Sequence, residues 1–153
     1  GAAVNSTDGV TVSVTSQNWA AATASSVLTT TALPVPPILA IAQPGGPGTI
    51  VQAVAANLIS GHVYHCVFSV EPCPGAPGSG PVLGLCSSDW INLLLPQYLV
   101  PLGTLPFHFQ ATSGSQDLGI YFLPASLVFD GVCFDSTGNV LLGVSPVVRF
   151  TVL

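Results

Sequence analysis

Seven side chains in this sequence are of the types that bind metals, form cross-links or exchange protons near neutral pH: Cys66, Cys73, Cys86, Cys133, His62, His65 and His108. The cysteines are separated by seven, thirteen and forty-seven positions. None of these intervals makes a Cys-x-x-Cys, and the histidines do not extend them to a finger or ribbon spacing, so zinc is the weaker reading. An even number of cysteines in a chain rich in Ser, Thr, Gly and Pro points instead to disulfides made in an oxidising compartment. Four cysteines allow three pairings. The expected ones are Cys73 with Cys86, closing the Pro74 to Pro81 loop that has little else to hold it, and Cys66 with Cys133, tying the middle of the chain to its last third. On the loop-entropy model these contribute about 3 and about 4 kcal/mol. The competing reading is free buried thiols that act as small hydrophobes.

The remaining chemistry is sparse. His62 and His65 lie three apart, which on a strand places them on opposite faces and makes them poor co-ligands, so both are expected to be surface imidazoles. His108 sits between Phe107 and Phe109 and reads as an exposed or internally satisfied ring rather than a base. Asp130 and Asp135, with Asn139, offer oxygens that calcium would accept, yet Asp135-Ser136-Thr137-Gly138-Asn139 is equally the chemistry of a turn. There is no Gly-x-Ser-x-Gly elbow and no recognisable Cys, His and acid signature; Pro77-Gly78-Ser79-Gly80 is not followed by Gly-Lys. The expectation is a non-enzymatic chain with no catalytic residue, no metal and no cofactor.

Composition narrows the classes further. Of 153 residues 49% are hydrophobic and only 5% charged, against about 25% charged in ordinary soluble domains. The single base is Arg149; the acids are Asp8, Glu71, Asp89, Asp117, Asp130 and Asp135, and no charge occurs between Gly9 and Val70. Nucleic acid is therefore not expected as a partner, because neutralising phosphates requires Lys and Arg. A membrane-spanning helix is not expected either, since the best apolar window, Ile91 to Phe109, is cut by Pro96, Pro101 and Pro106. A closed outer-membrane barrel calls for repeated alternating strands, and only the first strand alternates cleanly. The start lacks Met, a charged n-region and an apolar h-region, as expected of a mature secreted chain. Asn5-Ser6-Thr7 satisfies the N-glycosylation sequon, so Asn5 is where a glycosylating host would attach a glycan.

The elements that must position these residues are strands. In Leu118 to Leu153, β-prone runs are broken by Pro124, by the Asp135 to Asn139 cluster and by Pro146, which predicts a hairpin whose second arm carries the chain to its end. At the other end Val10, Val12 and Val14 alternate with Thr11, Ser13 and Thr15, the period of a half-buried strand. Val27 to Ala32 is Thr-rich and Ile38 to Ala42 reads as a short strand; in Thr49 to Ile59 the spacing of Ile50, Val54 and Leu58 is that of a helix, while β-branched content and short length favour a strand. Pro36-Pro37 marks an edge or bend, and Gln43 to Gly48 a loop. At this length one core is expected. The predicted fold class is all-β, a single β-sandwich of immunoglobulin-like or jelly-roll-like type. Its organisation is an N-terminal arm and strand over 1–17, which exchange between subunits would use, and a body over 18–153.

Asn57-Leu58-Ile59-Ser60-Gly61-His62-Val63-Tyr64 followed by Cys66-Val67-Phe68 resembles the Leu-x-x-Gly-x-x-Tyr corner of fibronectin type III and related immunoglobulin-like sandwiches, with Ser60 where that family usually has Pro. The resemblance implies that Leu58, Gly61 and Tyr64 form a structural corner, with the Tyr64 hydroxyl bonded to backbone upstream. It agrees with an alternation that turns Tyr64, Cys66, Phe68 and Val70 inward and His65 and Ser69 outward. The later segments, Pro74-Gly75, Leu83-Gly84-Leu85-Cys86, Pro101-Leu102-Gly103, Pro106-Phe107-His108-Phe109, Val144-Ser145-Pro146 and Arg149-Phe150-Thr151-Val152, are broadly similar to uncharacterised secreted bacterial β-modules, which implies no activity.

Function is read from the surface. Seven charges cannot interrupt the surface of such a domain in the usual way, so much of it must be apolar or neutral. Exposed apolar area favours association, and low charge removes the repulsion that opposes it. The expectation is an extracellular, self-assembling subunit of a filament, pilus-like fibre or surface layer whose partners are copies of itself. Strand addition through Val10, Val12 and Val14 is the expected mechanism, with Ala20 to Ser26 as the hinge; the competing reading is that the same strand pairs within its own sheet. The alternative is a secreted carbohydrate- or protein-binding module with Trp19, Trp90, Tyr98 or Tyr121 as stacking platforms.

Overall fold

A computed structural model describes residues 7–15, 23–31, 35–48, 50–86 and 99–153, the first two stretches by their backbone. The chain divides into two units, Gly1–Val35 and Pro36–Leu153. In the first, β1 (Thr7–Thr15) pairs antiparallel with β2 (Thr23–Thr31), Thr7 opposite Thr31 and Thr15 opposite Thr23. The expected division at 17/18 is therefore corrected: the strands on either side of it are each other's partners, and the boundary falls at 35/36. The proposed hinge is corrected in part, because Thr23 to Ser26 already lies in β2.

The second unit has two antiparallel sheets packed as a β-sandwich. One has the order β3-β4-β7, made of β3 (Ile38–Ala42), β4 (Ile50–Ala56) and β7 (Ser115–Phe122). The other has the order β10-β8-β5-β6, made of β5 (Val63–Ser69), β6 (His108–Gln110), β8 (Val128–Asp135) and β10 (Val148–Thr151), and β9 (Gly143–Val144) pairs with the end of β8. The core lies between them. Leu39, Ala53, Ala55 and Leu118 from the first sheet meet Tyr64, Cys66, Phe109 and Cys133 from the second.

The terminal hairpin is present, with its turn where Asp, Ser, Thr, Gly and Asn cluster. Asp135 Oδ1 accepts from the Thr137 amide at 3.0 Å, and Gly138 and Asn139 take positive φ angles of 69° and 61°, the left-handed region these two residue types enter most readily. The returning arm pairs first as β9 and then as β10, with Ser145 between them. Its Oγ accepts the Cys133 amide at 2.9 Å, and its amide donates to the Cys133 carbonyl at 2.8 Å.

On its inner face the second sheet follows the expected alternation through Tyr64, Cys66 and Phe68, but its outer face is not open to water. His65 and Ser69 are buried, a correction of their outward, solvent-facing assignment, and Val70 is 55% exposed rather than inward. For His65 the physical reason includes the His108 ring stacked on it at 4.0 Å, and for Ser69 it is the 73–86 loop. Cys73 and Cys86 are joined by a disulfide; Leu85 packs on Val67, Val132 and Phe134, and the Ser69 hydroxyl donates to the Cys86 carbonyl at 2.8 Å. A sheet covered on both faces loses the alternating pattern of a half-buried one, as β8 shows, buried from Phe129 to Asp135.

Cys66 and Cys133 are free thiols, buried and directly opposite one another on β5 and β8. The expected second pair thus stands in register, with no bond between the two sulfurs in this structure. Among the described residues no helix is long and apolar enough to cross a membrane.

Candidate functional site

Three groupings could carry function: a polar cluster at one end of β5 and β8, an Arg-centred hub under the disulfide loop, and the apolar surfaces of the β3-β4-β7 sheet.

In the polar cluster, His62 Nδ1 lies 2.7 Å from Asp135 Oδ2, and the Thr137 hydroxyl donates to Asp135 Oδ1 at 2.6 Å. Burial pushes the Asp135 carboxyl up, but these hydrogen bonds outweigh it and hold the group below its ordinary range. His65 stacks on the His108 ring at 4.0 Å and on Phe134 at 5.3 Å, and its Nδ1 lies 2.8 Å from the Ser136 hydroxyl. A Ser hydroxyl at that distance from an imidazole has the spacing of a nucleophile and its base. The imidazole, however, is lowered to about 4, first by burial and then by His108. A general base works best poised near the working pH, so this ring is a poor proton acceptor and the contact is better suited to holding the turn on β5. The Val63 amide donates to the Thr137 hydroxyl at 2.8 Å and fastens the same turn.

The corner residues lie beside this cluster. Leu58 is buried, Gly61 has φ +86°, and the Tyr64 hydroxyl accepts the Ile59 amide at 2.9 Å. Burial raises the Tyr64 phenol above its ordinary range. Tyr64→Phe strands a part-buried amide and is expected to cost about 1–2 kcal/mol, read as a lower urea midpoint with unchanged slope.

Arg149 occupies the hub. Its Nε and Nη2 donate to the two oxygens of Asp130 at 2.8 and 2.9 Å, Nη2 donates also to the Cys73 carbonyl at 2.8 Å, and Nη1 to the Gly75 carbonyl at 2.6 Å. The Arg149 bonds hold the Asp130 carboxyl below its ordinary range. Asp130 and Asp135 are therefore both committed to protein partners, and, being five apart on one strand, they leave β8 on opposite faces. Among the described residues no three His, Cys, Asp or Glu side chains group in a way that could hold a metal ion.

The apolar surfaces belong to β3, β4 and β7. A β-bulge at Ala53/Val54 leaves Leu118 as the extra residue in β7. Gly119 takes φ +109° there, and its amide donates to Asp117 Oδ1 at 2.9 Å. The bulge buries Leu118 completely and sets the phase of the strand beyond it. Tyr121 then turns inward, opposite Val51, while Ile120 and Phe122 turn outward, opposite Gln52 and Ile50. Phe122 is 79% exposed, and Ile120, Ile38 and Ile50 are also exposed on this face. Its polar contact is the 3.2 Å bond from Gln52 Nε2 to Asp117 Oδ2.

Behind the same strand, between the two sheets, is a half-open cleft of about 260 Å³ lined by Val51, Ala53, Phe68, Phe107, Tyr121 and Phe129, among others. The Tyr121 hydroxyl is already bonded to the Leu118 carbonyl, so the cleft presents almost pure hydrocarbon.

Comparison with protein-family models, with curated proteins and with solved structures finds no match to this chain. What the molecule does has therefore to be argued from its own surfaces.

The sequence-stated sites distribute unevenly over them. Val10, Val12 and Val14 lie on β1 opposite Leu28, Ser26 and Ala24 of β2. Asn5, Trp19, Trp90 and Tyr98 lie outside the described residues, as does Asp89. The outer face and the cleft were not singled out from the sequence. The signal for the face was present as Ile38, Ala40 and Ala42 alternating with Leu39 and Ile41, a strand with no polar side to it.

Proposed function

We propose that this chain is a non-enzymatic structural subunit of an extracellular assembly, a filament, pilus-like fibre or surface layer, held together by burial of low-charge surface between copies. The observation that carries this reading is the outer face of β3-β4-β7, where Ile38, Ile50, Ile120 and Phe122 stand exposed around one Gln–Asp contact. Among the described side chains of the second unit the ionised groups are Glu71, Asp117, Asp130, Asp135 and Arg149. Asp130 and Arg149 neutralise each other and Asp135 is buried against His62; Glu71 and Asp117 lie at the surface. A largely apolar face whose carboxylate, Asp117, is bonded to Gln52 is the kind that associates. The disulfide between Cys73 and Cys86 is in keeping with an oxidising, extracellular location.

The test is the native mass of purified protein across a hundredfold dilution, with electron microscopy of the concentrated sample. Assembly is expected, and Phe122→Lys with Ile120→Lys is expected to give monomer with an unchanged circular-dichroism spectrum. A wild-type chain that stays monomeric at every concentration sinks the proposal. Strand addition is tested separately by deleting 1–17. Loss of assembly supports exchange of β1, and retained assembly assigns association to the sheet face alone.

The apolar cleft favours a second reading, a secreted binding module. With so little polar surface to orient hydroxyls, it suits an apolar side chain offered by a protein partner better than a sugar. Binding of such a partner by a chain that is monomeric at every concentration would decide for this reading.

A further inference from the structure

The Cys66 and Cys133 pair is placed for cross-linking chemistry. The two residues are direct register partners on β5 and β8. The Cys66 amide donates to Phe107 on the β6 side at 3.0 Å, while the Cys133 amide and carbonyl are both taken by Ser145 on the opposite side, at 2.9 and 2.8 Å. Neither residue therefore bonds to the other through the backbone, so they form a non-hydrogen-bonded pair of the antiparallel ladder. Such pairs hold their Cα atoms about 4.5 Å apart with the side chains close together, within the separations a disulfide spans. Both cysteines sit on the inner face among Tyr64, Leu118 and Ala53, and neither has exposed surface.

The geometry points to a cross-strand disulfide between Cys66 and Cys133 that forms while the chain folds and is closed to exchange once the sheets have packed. A small-molecule disulfide is the oxidant. One cysteine thiolate attacks it, forming a mixed disulfide and releasing one small thiol. The thiolate of the other cysteine then displaces the second small thiol, so the protein loses two protons and two electrons and the small disulfide is reduced to two thiols. Both steps need a thiolate in reach of the oxidant. In the folded chain burial and the neighbouring Cys133 push the Cys66 thiol well up, and the β3-β4-β7 sheet covers both sulfurs, so native oxidation waits on opening of the sandwich. The redox state of the core is thus a record of the compartment in which the chain folded. The Cys73 and Cys86 bond differs, because it closes a surface loop of thirteen positions.

The experiment uses the full chain. Denatured, reduced protein is refolded with a mixture of reduced and oxidised glutathione. A second sample is refolded in reduced glutathione and only then given the same mixture. Free thiols are trapped with N-ethylmaleimide and the protein is cut with chymotrypsin without reduction. A peptide linking Cys66 to Cys133 is expected in the first sample, and at least about a hundredfold more slowly in the second. The cross-linked form is expected to raise the folding equilibrium constant by about a thousandfold over the form carrying only the surface-loop bond. Equal rates in the two samples overturn the folding-only window. A first sample that links Cys73 to Cys86 but leaves Cys66 and Cys133 both trapped as thiols overturns the cross-link itself.

Discussion

Arg149→Met is expected to lower the thermal midpoint by roughly 10 °C, and Arg149→Lys to recover only part of the loss. The side chain is the only base in the sequence, and its value lies in what it does for Asp130, a carboxylate with no exposed surface. Left without its counter-charge, a carboxylate at that depth costs about 3–5 kcal/mol, and a domain of this size loses about 2–4 °C per kcal/mol. Lys supplies the charge but not the planar fork that meets both Asp130 oxygens and two carbonyls together. The carbonyls belong to Cys73 and Gly75, so the substitution also loosens the base of the disulfide loop. Asp130→Leu combined with Arg149→Met is the decisive control. With both charges gone no buried charge is stranded, only the Cys73 amide that donates to Asp130 Oδ2 at 3.3 Å and the two carbonyls that Arg149 holds, and the double variant is expected to be more stable than Arg149→Met alone. If the single and double variants lose the same stability, the ion pair is not what holds this end of the sheet.

That hub also explains where the sequence was legible and where it was not. Local signals survive folding because neighbours in the chain satisfy them. The Asp135 to Asn139 turn is closed by Asp135 and Thr137 side chains two residues apart, and the Tyr64 hydroxyl reaches an amide five residues upstream. The Cys73 and Cys86 loop was legible for the same reason, as a short Gly- and Pro-rich segment between two cysteines. The burial of His65 and Ser69 was not, because it depends on His108 stacking on the one and on that loop folding back over the other, and nothing in the alternation of β5 announces a cover that comes from elsewhere in the chain. Arg149 bridging Asp130 to Cys73 and Gly75 spans seventy-four to seventy-six positions on its loop side. The sequence showed one cation and six carboxylates without saying which carboxylate it would neutralise. The candidate surface was hidden differently: Ile120 and Phe122 look outward only because the bulge at Leu118 and Gly119 shifts the phase of β7, and one misplaced residue exchanges every inward and outward assignment beyond it.

The second large effect is a loss of stability on mild acidification, and it follows from the same covered face. Stability is expected to fall by up to about 3 kcal/mol between pH 6.5 and pH 4, before the carboxylates titrate. His65 accounts for the window. In the unfolded chain it binds a proton near its ordinary value of about 6.5; in the folded chain burial first, and the facing His108 ring second, hold protonation off until about 4. Between those values the unfolded state binds more protons than the native one, so stability rises with pH through the window and is lost as pH falls. The groups packed against the ring include His108, Phe134 and the Ser136 hydroxyl. Protonating His65 would place a charge in a buried site against the face of the His108 ring. A further fall is expected below about pH 4, where Asp130 and Asp135, both held below their ordinary range in the folded chain, take up protons on unfolding. His65→Phe preserves a ring that can stack on Phe134 and removes the titration. Urea midpoints measured from pH 7.5 to pH 3 should therefore run flat for the variant down to about pH 4 and then drop with the carboxylates, whereas the wild type declines through both windows. A variant that declines as steeply as the wild type between pH 6.5 and pH 4 would place the acid sensitivity in another group.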